Sequence, residues 1–479
     1  MTAPVALRSG RGRGILATTV LGSGMAFLDA TIVNVAVKHI GQDFHTGFDA
    51  LQWVLNAYTF SLAALILLGG SLGDRLGRRR VFLVGVAWFA ISSLLCAVAP
   101  DVGVLIGARA LQGIGGALMT PGSLAIISAT IRAEDRAAAV GAWSGLAGVS
   151  TALGPLLGGW LVQDLSWRWA FAINLPLAIA VVVLGLKFVP ETRAQHVAPH
   201  LDVVGTVLVA AALGMLTLGT TLAGSHGWSA AAVVCTVAGG ALLIGFVLWE
   251  RLDSEPLVPL WLFRDRTFSG TNLMTLSAYA ALSAVMFVVV LALQVVAGYG
   301  ALAAGLSMLP TTLVLLLLSS RSGALATRIG PRLQLIAGPL IAGCGLLALM
   351  RLDAHHTNYV VDVLPGVVLI GLGFATLVAP LTATVMGTAP GDAVGIASGV
   401  NNAIARAGGL LAVAILPGLG GLRGENYRNA AVLEHGYRMV LAICVGLLVV
   451  SALIVAATVR RHVLRRPEPA AYETAPAGE

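Results

Sequence analysis

The chain has 479 residues, of which 57% are hydrophobic and only 11% charged, with a mean hydropathy of +0.90 and a net charge of +7. A soluble domain carries roughly 25% charged residues, so this composition excludes a soluble core and predicts an all-α polytopic membrane protein. The basic balance does not point to nucleic acid, because the arginines fall between apolar runs, where they set topology.

A spanning helix needs about 20 mostly apolar residues. That length predicts fourteen of them, near residues 14–38, 50–70, 81–99, 104–130, 138–163, 168–189, 201–223, 229–250, 268–298, 301–322, 333–350, 361–387, 396–420 and 437–459. Arg8, Arg11 and Arg13 ahead of the first run mimic a secretory leader. The run from Ile15 to Val37 is too long for one and contains Asp29, so it reads as a retained helix. With the N-terminus inside, 21 of the 29 Lys and Arg residues fall on the cytoplasmic side, which predicts both termini in the cytoplasm. Cys96, Cys235, Cys344 and Cys444 lie in apolar runs without ligand spacing, and read as packing residues rather than a disulfide or metal set. His355-His356 lacks further ligands at zinc-type spacing. No G-x-x-x-x-G-K-[ST] run occurs, so ATP is not the expected energy source.

The densest motif is Gly69 to Arg80, G-G-S-L-G-D-R-L-G-R-R-R, between the second and third runs. Asp74, Arg75, Arg78, Arg79 and Arg80 belong at a membrane surface; Gly73 and Gly77 permit close approach and a sharp turn. A degenerate copy, Gly323 to Arg332, carries Thr327 in place of the aspartate, and eight helices separate the copies. The simplest account is two six-helix bundles with two helices inserted between them. The predicted division is a cytoplasmic segment 1–13, a first bundle 14–190, a linker with two extra helices 191–267, a second bundle 268–459 and a disordered cytoplasmic tail 460–479. The inserted helices carry Asp202 and Glu250 only at their cytoplasmic ends and read as peripheral, outside the pathway.

Asp29 is the deepest carboxylate, in Leu28-Asp-Ala-Thr-Ile-Val-Asn-Val-Ala36. An acid at mid-membrane costs roughly 2.5–3.5 kcal/mol on insertion scales, so it must face a partner or a cavity, and it is the one obvious proton carrier. Arg109 opens the fourth helix, with Gln112, Gly113 and Gly116 on its face. It either reaches Asp29, directly or through water, or snorkels to the interface. Gly145, Gly154, Pro155, Gly158 and Gly159 punctuate the fifth helix, where Pro155 removes a donor and glycines allow close packing. Asn34, Asn174 and Asn272 line a cavity or tie helices together. Arg406, near Asn401 and Asn402 in the thirteenth helix, contacts substrate, lines a vestibule or packs locally.

The Gly69–Arg80 order resembles the signature loop between helices 2 and 3 of the major facilitator superfamily. The runs around Asp29, Arg109, Gly145–Gly159 and Trp167-Arg-Trp-Ala-Phe-Ala-Ile-Asn-Leu-Pro176 are similar to its fourteen-helix drug:proton antiporter branch. These motifs cover most of the first six helices; the second half resembles the family by topology and the degenerate repeat. The resemblance implies the major facilitator fold and alternating access in the inner membrane of a bacterium. Proton entry would drive export of a lipophilic small molecule by a monomer, with no cofactor beyond the proton gradient and no enzymatic activity. It also implies that Asp74 caps a helix end near the start of helix 13, and that Arg75 or Arg78 pairs with Glu134 or Asp135. One deep carboxylate predicts a low proton-to-substrate ratio and neutral or monocationic substrates. Other readings are a dedicated exporter of one self-made antibiotic, metabolite or lipid, an organic-anion uptake symporter using Arg109 and Arg406, and a membrane sensor. The helix-5 glycine pattern argues against uptake, and no soluble signalling domain is evident for a sensor.

Overall fold

Among the described residues, fourteen helices are long and apolar enough to cross a membrane. They are α1 (Gly10–Asp43), α2 (Phe48–Leu76), α3 (Arg78–Ala97), α4 (Val102–Thr130), α5 (Ala133–Asp164), α6 (Trp169–Phe188), α7 (Val203–Ser225), α8 (Ala230–Leu252), α9 (Arg266–Val295), α10 (Ala301–Ile329), α11 (Arg332–Leu349), α12 (Tyr359–Thr388), α13 (Val394–Leu419) and α14 (Ala430–Thr458). The computed structural model describes residues 4–193, 201–254, 256–353, 357–390 and 393–459; the tail after 459 and His355-His356 lie outside them.

Many starts are written in the local sequence. The side chains of Ser9, Asp101, Asp202, Ser229, Asp265 and Asn429 accept hydrogen bonds from N–H groups of the turns they open, each cap worth typically about 1 kcal/mol. Asn429 explains why α14 begins at Ala430 rather than near 437: its Oδ1 accepts from the N–H groups of Ala431 and Val432. Other helices overrun their apolar cores where polar side chains reach out to the surface. Thus α2 carries Asp74 and Arg75 to Leu76, and α10 carries Arg321 and Arg328 to Ile329.

Helices α1–α6 pack mainly on one another, as do α9–α14. The two bundles meet along α2 with α13, α5 with α10, and α1 with α9. The end of the molecule that holds the starts of α1, α3 and α5 is called the terminal end, and the other the distal end. At the distal end one apolar core runs through both bundles, from Ile40, Phe48 and Leu105 to Phe287, Leu416 and Tyr427. Toward the terminal end the cores are distinct, around Phe82 and Ile126 in the first bundle and Phe268, Val385 and Val400 in the second; the former reaches the second bundle at Ala403.

Polar ties follow the same gradient. Gln52 Nε2 donates to the Val413 carbonyl at 2.5 Å, Lys38 Nζ to that of Gln294 at 2.8 Å, and Gln294 Nε2 to that of Val35 at 3.0 Å. The Phe48 N–H donates to Gly424 at 2.7 Å, and Arg428 to Gly41 at 2.9 Å. All lie toward the distal end and join one bundle to the other.

Of the inserted pair, expected to be peripheral, α7 also borders a seam between the bundles. α7 packs against both α2 and α13, so it straddles one seam between the bundles. A Cβ on Gly418 of α13 would lie 2.5 Å from the Gly224 Cα of α7, which is the close approach that only small residues permit. Leu213 of α7 shares a small core with Ala63 of α2 and Leu410 of α13. α8 lies outside α7 and is the less buried of the two. Asp202 and Glu250 are themselves buried: Asp202 accepts from the Gly205 N–H and the Trp249 indole, and Glu250 accepts from the Val258 N–H.

Candidate functional site: a buried ion pair beside a seam

Asp29 comes from α1 and is fully buried; Arg109 comes from the distal part of α4 and is 1% exposed. They meet directly, with Arg109 Nη1 donating to Asp29 Oδ2 at 2.5 Å. Snorkelling is therefore not what Arg109 does. The other carboxylate oxygen, Oδ1, accepts from Gln112 Nε2 at 2.9 Å and Asn174 Nδ2 at 3.2 Å. Gln112 Oε1 accepts a second bond from Arg109 Nη1, and Arg109 Nε donates to the Val54 carbonyl at 3.1 Å. The i+3 spacing of Gln112 from Arg109 makes this three-sided arrangement possible on one helix face.

The sequence did not reveal the rest of the shell. Ser93 of α3 accepts from Gln112 at 2.7 Å and Asn174 at 3.3 Å, knitting α1, α3, α4 and α6 together. The Arg109 guanidinium lies 4.5 Å over the Tyr58 ring and 5.6 Å from that of Phe171, a placement that stabilises a desolvated cation. A serine or tyrosine in an apolar run carries no distinguishing signal. Gly113 and Gly116 face Tyr58: a Cβ on Gly113 would strike its carbonyl oxygen, and one on Gly116 would sit 3.2 Å from its hydroxyl. The glycines thus bring α2 close enough for Tyr58 to cover the arginine.

Chemically this is a closed charge pair whose acidic member accepts three hydrogen bonds. A buried charge needs its partner. Adding a proton to Asp29 cancels the charge that balances Arg109 and removes the strongest acceptor from the shell. The charge state of Asp29 thus bears on the bonds that join α1 to α4 and α6.

The helix-5 motif is placed around this site. Gly154 faces Thr31 so closely that a Cβ would strike its hydroxyl, and Gly158 would bring one within 3.0 Å of the Ile32 Cα, both on α1. Gly159 faces the other bundle, where a Cβ would lie 2.6 Å from the Leu302 Cα, and a Cβ on Gly305 of α10 would strike the Pro155 carbonyl oxygen. The motif thus seats α5 against α1 on one side and α10 on the other. Gly145 faces open space.

Other candidate residues lie apart. Asn34 bonds back to the Ala30 carbonyl of its own helix. Asn401 donates to Asn272 Oδ1 at 3.0 Å and Thr275 Oγ1 at 2.8 Å, so Asn272 and Asn401 tie α9 to α13. Arg406 is half-buried in the middle of α13. In the α2–α3 corner, Arg78 pairs with Asp74 at 2.7 Å and also reaches the Ala125 carbonyl. The expected partners differ: Asp135 accepts from the Leu7 N–H, Glu134 is exposed, and Arg79 and Arg80 turn to Glu191. Glu191 also accepts from their backbone N–H groups at 3.1 and 3.2 Å, filling the start of α3. Asp74 is satisfied within its own corner because Arg78 lies four residues on, across the Gly77 turn, where φ is +117°.

Comparison with known proteins agrees with this architecture. The family model of the Major Facilitator Superfamily matches residues 19–202 and 203–413. The chain is 35% identical to a tetracenomycin C resistance and export protein of Streptomyces glaucescens over 85% of its length and 76% of the relative's. It is likewise 35% identical to multidrug resistance protein Stp of Mycobacterium tuberculosis, over 84% of this chain and 74% of that one. Among solved structures, a D-xylose-proton symporter superposes with a TM-score of 0.68, covering 94% of this chain and 98% of that one at 17% identity, which shows a shared fold.

Proposed function

From the premise that this chain belongs to the major facilitator superfamily, we propose that it is a proton-coupled antiporter that exports lipophilic small molecules by alternating access. Its family relatives are antibiotic and multidrug exporters, and it is a multi-pass bacterial membrane transporter rather than an enzyme. The observation that carries the proton step is the Asp29–Arg109 pair, sealed in the first bundle beside the helix that packs on α10. On this reading a proton entering at Asp29 loosens Arg109, Gln112 and Asn174 together, and α1 and α5 shift against the second bundle.

By the positive-inside rule the terminal end faces the cytoplasm. The ties at Gln52, Lys38, Gln294 and Phe48 would then hold the outer end shut in a cytoplasm-facing state. The proton gradient is the energy source; one proton crossing 100 mV supplies about 2.3 kcal/mol. The transporter acts as a monomer without a bound cofactor. A second reading, export of one self-made antibiotic, draws on the relative named for tetracenomycin C, whereas Stp is named for multidrug resistance.

Accumulation of a panel of lipophilic dyes in inverted membrane vesicles tests the assignment. Respiration should drive dye uptake, and an uncoupler should abolish it while ATP levels are maintained. Uptake that survives the uncoupler and follows ATP would overturn it; uptake of several unrelated dyes would favour multidrug export over a single substrate.

A further inference from the structure

Arg406 is the unusual charge of the second bundle. It sits midway along the 26-residue α13, far from either end, so its guanidinium has no short route to a headgroup layer. It is half-buried, and among the described residues it makes no hydrogen bond and no ion pair. Its neighbours Ala403 and Ala407 pack on first-bundle side chains, Ala403 on the core around Phe82 and Ala407 beside Ala63 of α2, so Arg406 lies on the stretch of α13 that borders the seam between the bundles. Arginine in a membrane interior stays charged and must see an anion, a carbonyl or water. The deep acid of the first bundle, Asp29, is fully buried and committed to Arg109, Gln112 and Asn174. Asn401 is spent on Asn272 and Thr275, and it fixes the α13 backbone against α9 one turn before Arg406. Half-buried Asn402 lies four residues before Arg406, on the same face.

We propose that Arg406, with Asn402 beside it, is the recognition site for an acidic group on the exported molecule, a carboxylate or phenolate carried on an apolar ring system. The inference rests on the export reading above and deepens it. A planar guanidinium offers paired donors to such a group, and the apolar side chains around Ala63, Ala403 and Ala407 supply the surroundings for its ring system. On this proposal the exported molecules include acids, in contrast to the neutral or monocationic substrates that a single deep carboxylate predicts.

The field and the ligand class are tested separately from transport. A thiol introduced by Asn402→Cys is reacted in proteoliposomes with the anionic reagent methanethiosulfonate ethylsulfonate and with its cationic trimethylammonium analogue, and modification is read at that peptide by mass spectrometry. Relative to a free thiol, the anionic reagent should be favoured by about tenfold or more. Arg406→Gln in the same background should erase the preference, and Arg406→Lys should keep part of it. 2-Naphthoate should protect the thiol, 2-naphthamide should not, and Arg406→Gln should abolish the protection. No modification, an unchanged reagent ratio in Arg406→Gln, or equal protection by acid and amide (or by neither) would overturn the proposal. Proton exchange at Asp29 is measured independently, so a failure here leaves the export reading standing, and a failure there leaves the anion site standing.

Discussion

The two bundles handle deep charge in opposite ways. In the first, Asp29 and Arg109 neutralise each other behind Gln112, Asn174, Ser93 and Tyr58, and nothing of the carboxylate is exposed. In the second, Asn272, Asn401 and Thr275 form neutral ties, and Arg406 stands half-buried without a bonded partner. A sealed pair stores its interaction until one member changes charge, whereas an open charge is available to whatever enters the space between the bundles. The difference separates an element suited to coupling from one suited to recognition.

Substitutions can break or sharpen this contrast. Asp29→Ala should have the largest effect, because it leaves Arg109 buried and unbalanced; a loss of about 3–5 kcal/mol is expected, seen as a collapse of folded yield or thermal stability in detergent. Asp29→Asn keeps the shape and most of the hydrogen bonds, and should fold better than Asp29→Ala. Gln52→Ala removes a buried side-chain bond that spans the bundles at the distal end. Losing about 1 kcal/mol there should shift the balance toward distal opening severalfold, which distances between spin labels on the α1–α2 and α13–α14 loops would report. Asn401→Ala should cost about 0.6–1.7 kcal/mol in unfolding stability, the range of interhelical bonds in membranes. Arg406→Gln should be the mildest, within about 0.5 kcal/mol of wild type, since it breaks no bond. A large loss of stability in Arg406→Gln would show that the residue is structural and would erase the contrast.

Much of the scaffold was legible because hydropathy dictates it: the bilayer admits only helices of sufficient length, and each apolar run became one. Asp29 and Arg109 stood out for the same reason, as charges where none belongs. Their meeting was not legible, since it joins residues 80 positions apart through steric fit among glycines and aromatics. Ser93 and Tyr58 gave no signal, being ordinary residues of spanning helices. Glu191 was missed as the partner of the α2–α3 corner because the helix-6 exit brings it back beside α3 only in three dimensions. The seam contact of α7 is hidden for a related cause: Gly224 and Gly418 look like any membrane glycines until the two helices are seen in contact.

The most direct test of the account is proton release from acid-loaded proteoliposomes, followed with an internal pH dye while candidate substrates are added. Wild type and Asp29→Asn are compared at equal reconstituted amounts. Substrate-dependent collapse of the gradient in wild type, absent in Asp29→Asn, is the predicted result. Full coupling in Asp29→Asn would contradict the assignment and leave the Asp29–Arg109 pair as a structural tie.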